Sequence, residues 1–145
     1  MDKWDVRFMR LAQLVSTWSK DPSTQVGAVI TDNSNRVVSL GFNGLPRGLP
    51  DDASVLTDRE LKYRIIIHAE ENALAFAQVP VTGCTLYVSP MAPCAPCSAR
   101  IIQAGIRRVV APHPSHLDTA ALARWADDLK LSARMFARAK VDLDI

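Results

Sequence analysis

Long apolar runs are missing from this chain. The longest are a few residues, such as Ile65-Ile66-Ile67, and Met1-Asp2-Lys3-Trp4-Asp5 lacks the basic-then-apolar layout of a signal peptide. A soluble, cytoplasmic enzyme or binding module with no membrane partner is therefore expected. Charge of one sign is also lacking: 17 Lys and Arg against 15 Asp and Glu leave a net charge of +2. That gives no general electrostatic hold on a long polyanion, so no nucleic-acid partner is expected. Cysteine is sparse. Three cannot pair off completely, and Cys94 and Cys97 stand in a Cys-x-x-Cys spacing that suits metal or redox chemistry better than a disulfide framework. There is no internal repeat, linker or low-complexity segment. What remains is 145 residues with 48% apolar and 22% charged side chains. That is one domain, residues 1–145, able to bury roughly 68 to 70% of its unfolded surface.

From the N-cap Asp2, apolar residues recur at Val6, Met9, Leu11, Ala12, Leu14, Val15 and Trp18, predicting an amphipathic helix ended by Pro22. Two Val- and Ile-rich runs, Gln25 to Thr31 and Arg36 to Gly41, flank a turn-forming Asp32-Asn33-Ser34-Asn35 and predict a hairpin. Residues 43 to 58 show no period and predict a long loop. A helix from about His68 to Gln78, a strand over Cys84 to Ser89, a helix from about Ala95 to Ala104 capped by Gly105, and a strand over Arg107 to Ala111 follow. A last helix carries Leu117, Leu122, Trp125, Leu129, Met135 and Phe136, and Val141 to Ile145 is a candidate fifth strand. This order predicts an α/β fold, a mixed sheet with helices on both faces.

The chemistry concentrates in His68-Ala69-Glu70 and, beyond a strand, Pro93-Cys94-Ala95-Pro96-Cys97. One imidazole and two thiolates suit zinc, and three protein ligands leave a fourth tetrahedral position for water. The thiolates cancel the metal's +2 charge. His68 and Glu70 would lie about 200° apart in mid-helix, so both reach one centre only at a helix entrance. Pro93 and Pro96 are tolerable only before or within a first helical turn, so two helix N-termini should meet at the metal, where their dipoles favour thiolate and hydroxide. Glu70, as a non-ligand, can do general acid and base work. Taken alone, either motif is uninformative. Together, in this order, they form the signature of zinc nucleobase deaminases.

Beyond the metal motif, the chain resembles the deoxycytidylate (dCMP) deaminases of the cytidine deaminase-like superfamily. The likeness runs through Ser19-Lys20-Asp21-Pro22-Ser23-Thr24-Gln25-Val26-Gly27-Ala28-Val29 and Gly41-Phe42-Asn43-Gly44-Leu45-Pro46-Arg47-Gly48. It continues in Lys62-Tyr63, Asn72-Ala73, Gly83 to Val88 and Ile101 to Ile106. It implies a three-layer α/β/α fold around a mixed sheet of about five strands. It also implies a hydrolase acting on a cyclic amidine C–N bond, which deaminates a cytosine nucleotide, dCMP to dUMP plus ammonia. One Zn²⁺ per chain would be held by His68, Cys94 and Cys97, with Glu70 shuttling protons, Asn43 holding a sugar hydroxyl and the Ala69 N–H donating to the base carbonyl. Relatives of this kind form homo-oligomers, hexamers or dimers, and some respond to dCTP and dTTP. Three stretches differ: the spacer Ser89 to Ala92 is one residue longer, the loop Pro112 to His116 lacks an aromatic residue, and the tail from Ala133 to Val141 is only loosely similar.

For a 5'-phosphate, the candidates among Lys20, Arg47, Arg59, Lys62 and Arg64 are headed by Lys20 and Arg47, each within a matching stretch. Cys84 alternates with Leu86 and Val88 on a strand face and is expected to be buried rather than a ligand. His113 and His116 are expected to be solvated, and Trp4, Trp18 and Trp125 to be packing residues. The same motifs occur in deaminases of free bases, nucleosides and tRNA adenosine, and the mildly acidic Leu117 to Asp128 speaks against tRNA. A non-catalytic zinc module is the remaining alternative. It would usually supply four protein ligands and have no use for Glu70.

Overall fold

A computed structural model describes residues 1–145. Helix α1 (Lys3–Ser16) starts in a capping box, with Asp2 accepting from the Trp4 and Asp5 N–H groups while Asp5 accepts from the Asp2 N–H. It stops well short of Pro22. The Ser16 and Thr17 hydroxyls donate to carbonyls three residues back, competing with helix continuation, and Trp18 turns out to lie edge-on to Phe42, about half exposed, instead of in the core.

Strands β1 (Gly27–Thr31) and β2 (Val37–Phe42) form the expected hairpin, with Asp32 accepting from the Ser34 and Arg36 N–H groups. The 43–58 stretch is not wholly loop. It contains the short helix α2 (Ala53–Thr57), and a second one, α3 (Arg59–Ile65), directly follows it; they begin at the N-caps Asp52 and Asp58, and neither is long enough for its period to show in sequence. Helix α4 (Ala69–Phe76), strand β3 (Thr85–Ser89), helix α5 (Ala95–Gln103) and strand β4 (Arg108–Val110) follow, then the 20-residue α6 (Thr119–Arg138) and the edge strand β5 (Asp142–Asp144).

The sheet runs β2-β1-β3-β4-β5, with β1 antiparallel to both neighbours and β3, β4 and β5 parallel. Alternation along the strands divides the core. Ala28, Ile30, Leu86, Val88 and Val109 face a cluster that includes Ala69 and Ala73 of α4, Ile101 of α5 and Phe136 of α6. Val29, Tyr87 and Val110 face α1 through Phe8, Met9, Ala12 and Val15. The result is the three-layer α/β/α arrangement around five strands. No helix is long and apolar enough to cross a membrane.

Candidate active site

The site gathers where helix entrances meet beyond the end of β3. His68 is the N-cap of α4, so Glu70 stands in the first turn, and both side chains line one cavity. Cys94 is the N-cap of α5, Pro96 lies in its first turn and Cys97 follows. The His68 Nδ1 lies 3.2 Å from Cys97 Sγ and 3.4 Å from Cys94 Sγ, and the three donor atoms fall within 4.8 Å of one another. Tetrahedral zinc with bonds of about 2.3 Å to sulfur and 2.0 to 2.1 Å to nitrogen needs an N···S separation of roughly 3.6 Å, so the donor set and its spacing fit. Cys84 is buried in the core cluster, outside this group.

Two polar braces fix the helix entrances. Glu71 accepts from the His68 N–H with one carboxylate oxygen and pairs with Arg100 of α5 through the other, tying α4 to α5. Asp128 of α6 accepts from the Ala95 N–H at 2.7 Å, capping α5 from a distant element because Cys94 makes no side-chain cap. Ala69 is fully buried on the cavity wall as the first residue of α4, and its N–H has no acceptor within the helix.

The electrostatics follow from burial and neighbours. Glu70 is 5% exposed, and burial pushes its carboxyl up to about 7. The hydrogen bond from Cys97 and the nearby His68 lower the Cys94 thiol to about 5, and the Cys97 thiol is raised in turn. Contact with Cys94 raises His68 to about 9 against the opposing effect of burial.

The cavity, about 740 Å³ with its open mouth, has one polar and one apolar wall. On the polar wall, Lys62 donates to Asp21 at 3.1 Å and to the Ser23 hydroxyl at 2.6 Å. Asn43 is buried there; its Oδ1 accepts from the Val26 N–H, and its Nδ2 donates to the Thr24 carbonyl and, at 3.4 Å, to Asp21. One Oδ1 lone pair remains for a ligand. The apolar wall is Ile66, Met91, Ala92, Trp125 and Leu129.

Lys20 and Arg47, ranked first for a phosphate on their sequence neighbours, stand outside the cavity lining. Lys20 pairs with Asp51 in solvent, and the Arg47 guanidinium lies over the Phe76 ring. The cation on the wall is Lys62, whose Lys62-Tyr63 motif was the available signal. Trp125 was expected to be packing and instead lines the cavity; nothing in its helical spacing signals this.

Three donors suited to one metal, next to a buried carboxyl in the lining of a cavity, make this a candidate metal site with a general acid–base group beside it. Residues 2–112 match the family model described as cytidine and deoxycytidylate deaminase zinc-binding region, and the chain belongs to this family. It is 47% identical over 143 residues to the "uncharacterized deaminase in luxG 3'region" of Aliivibrio fischeri, covering 99% of this chain and 93% of that protein. It is 40% identical over 114 residues to the human deoxycytidylate deaminase, covering 74% of this chain but only 64% of that protein. The chain thus spans just under two thirds of that mammalian relative. Among solved structures, the dCMP deaminase from the cyanophage S-TIM5 in complex with dCMP and dUMP superposes with a TM-score of 0.76 at 23% identity, over 99% of this chain and 98% of that one.

Proposed function

We propose that this chain is a zinc-dependent hydrolase that removes the C4 amino group of a cytosine nucleotide, dCMP to dUMP plus ammonia. The observation that carries the reading is the buried Glu70 carboxyl, which lines one cavity together with His68 and Cys94, the donor atoms of these two lying within 4.8 Å of each other and of Cys97 Sγ. Support for the substrate comes from the deoxycytidylate deaminase of 40% identity and from the dCMP and dUMP of the cyanophage structure.

Zinc, held by His68, Cys94 and Cys97, supplies the Lewis acidity that lowers the pKa of water from about 15.7 toward about 7. Glu70 takes the proton of the attacking water and passes it to ring N3. Attack forms the C4–O bond; Glu70 then takes the remaining proton from the new C4 hydroxyl and passes it to the amine, so that ammonia leaves as the C4–N bond breaks and the C4 carbonyl forms. A carboxyl that burial holds near 7 both accepts and releases a proton near neutral pH. The Ala69 N–H donates to the base carbonyl, the free lone pair of Asn43 accepts from a sugar hydroxyl, and Lys62 supplies the cationic donor of the polar wall. The protein works as a homo-oligomer in the cytoplasm and needs neither a membrane nor a nucleic acid.

Glu70→Gln tests this reading. The variant is expected to keep about one zinc per chain and to lose ammonia release by at least about 100-fold. Retained turnover would contradict the role of Glu70. A zinc-replete wild type that shows no turnover would favour the non-catalytic module.

A further inference from the structure

Trp125 belongs to none of the motifs. It lies on α6, beyond the residues matched by the family model, yet it lines the cavity together with Leu129, one turn further along the same helix. Its indole Nε1–H is buried and meets no acceptor anywhere in the chain. Buried indole N–H groups usually find a partner, and an unpaired one costs free energy. The other buried side-chain polar atom without a partner, Ser132 Oγ, lies outside the cavity lining.

The helix face bearing Trp125 is held in register with the metal site. Asp128, three residues on, accepts from the Ala95 N–H at 2.7 Å, and Ala95 directly follows Cys94. A flat aromatic ring on this anchored helix thereby shares one cavity lining with His68, Glu70 and Cys94 and with Asp21, Asn43 and Lys62. The other aromatic side chain in the lining, Tyr63, is half exposed and sits beside the Lys62 ammonium. Trp125 is the less exposed of the two.

We infer that Trp125 is a substrate-contacting residue. Its ring packs against the pyrimidine nucleotide and its N–H donates to an oxygen of that ligand. The inference rests on the nucleotide reading above and adds a contact from a helix outside the matched family region.

Fluorescence provides a readout that a structural role would not move, because Trp4 and Trp18 are not part of the cavity lining. Zinc-loaded wild type titrated with dUMP should show a saturable change in tryptophan emission. The change should persist in a Trp4→Phe/Trp18→Phe protein and vanish in Trp125→Phe. Trp125→Ala should raise the KM for dCMP by about 10-fold or more, with a smaller change in kcat and zinc content unaltered. Trp125→Phe, which keeps a ring but lacks the N–H, should fall between and carries the test if the alanine variant fails to fold. Comparing dUMP with deoxyuridine assigns the acceptor: a Trp125→Phe affinity loss confined to dUMP points to phosphate, and an equal loss for both points to base or sugar. Turnover of dCMP with an unchanged KM in both Trp125 variants, or an emission change that survives Trp125→Phe, overturns the inference alone. A zinc-replete wild type that neither turns over dCMP nor binds dUMP overturns the nucleotide reading and this inference with it.

Discussion

Lys62 is 4% exposed, an unusual position for a lysine, and it survives there because Asp21 and Ser23 accept hydrogen bonds from its ammonium. Burial pushes the Asp21 carboxyl up, but the bonds from Ser23 and Lys62 outweigh it and hold the group below its usual range. The pair is a charged wall kept neutral as a whole. Lys62→Met should therefore destabilise the protein by roughly 3 kcal/mol by stranding Asp21, whereas Asp21→Asn combined with Lys62→Met should cost much less. Urea midpoints of the two single variants and the double variant check this. Strictly additive losses would show that the two side chains do not act as a pair.

Among the elements, α4 is the one on which the site depends, since it carries His68 at its entrance and Glu70 in its first turn. It can lie this close to the sheet because β2 presents Gly41. A Cβ there would stand 2.5 Å from the Ala73 nitrogen and 2.6 Å from the Ala69 carbonyl oxygen. Gly41→Ala should push α4 outward, costing about 1–3 kcal/mol and weakening zinc retention against a chelator. Thermal melting and metal release measured on the same samples test the link; a wild-type melt with wild-type retention would refute it.

Most of this arrangement was legible in the sequence because local chemistry dictates it. Prolines beside Cys94 and the single residue between His68 and Glu70 leave only helix entrances as solutions. The short α2 and α3 were illegible because each is under two or three turns long. The cavity walls were illegible for another reason. Asp21, Lys62 and Trp125 come into one lining from positions 41 to 104 residues apart, and a helical period reveals which face is buried without revealing whether that face meets core or cavity. Trp125, read as core from its spacing, shows this.

Across the whole molecule, one charged network joins the first helix to the last strands. Arg108 of β4 donates to both carboxylate oxygens of Asp5 and also pairs with Asp144 of β5, while the Tyr87 hydroxyl donates to Asp5. The Arg108 bond is the largest influence on Asp5, and it holds the carboxyl down at about 2 against the opposing effect of burial. A folded-state value below the unfolded one means that the stabilisation is complete above the unfolded pKa of 3.8 and disappears as pH falls through about 2. A loss of about 2 kcal/mol attributable to Asp5 is expected over that window. Denaturation of wild type and Asp5→Asn between pH 5 and pH 2 measures it: the difference between the two should shrink as the pH falls, and a constant difference would remove Asp5 from the account.

The proposed activity requires that His68, Cys94 and Cys97 hold zinc and that Glu70 work beside it on the C4 amino group of a cytosine nucleotide. Ammonia release by zinc-reconstituted protein, compared across cytosine, cytidine, deoxycytidine, CMP, dCMP, dCTP, adenosine and guanine, tests it most directly. dCMP should give the highest kcat/KM. Preferential release from a purine, or none from any cytosine compound, would contradict it.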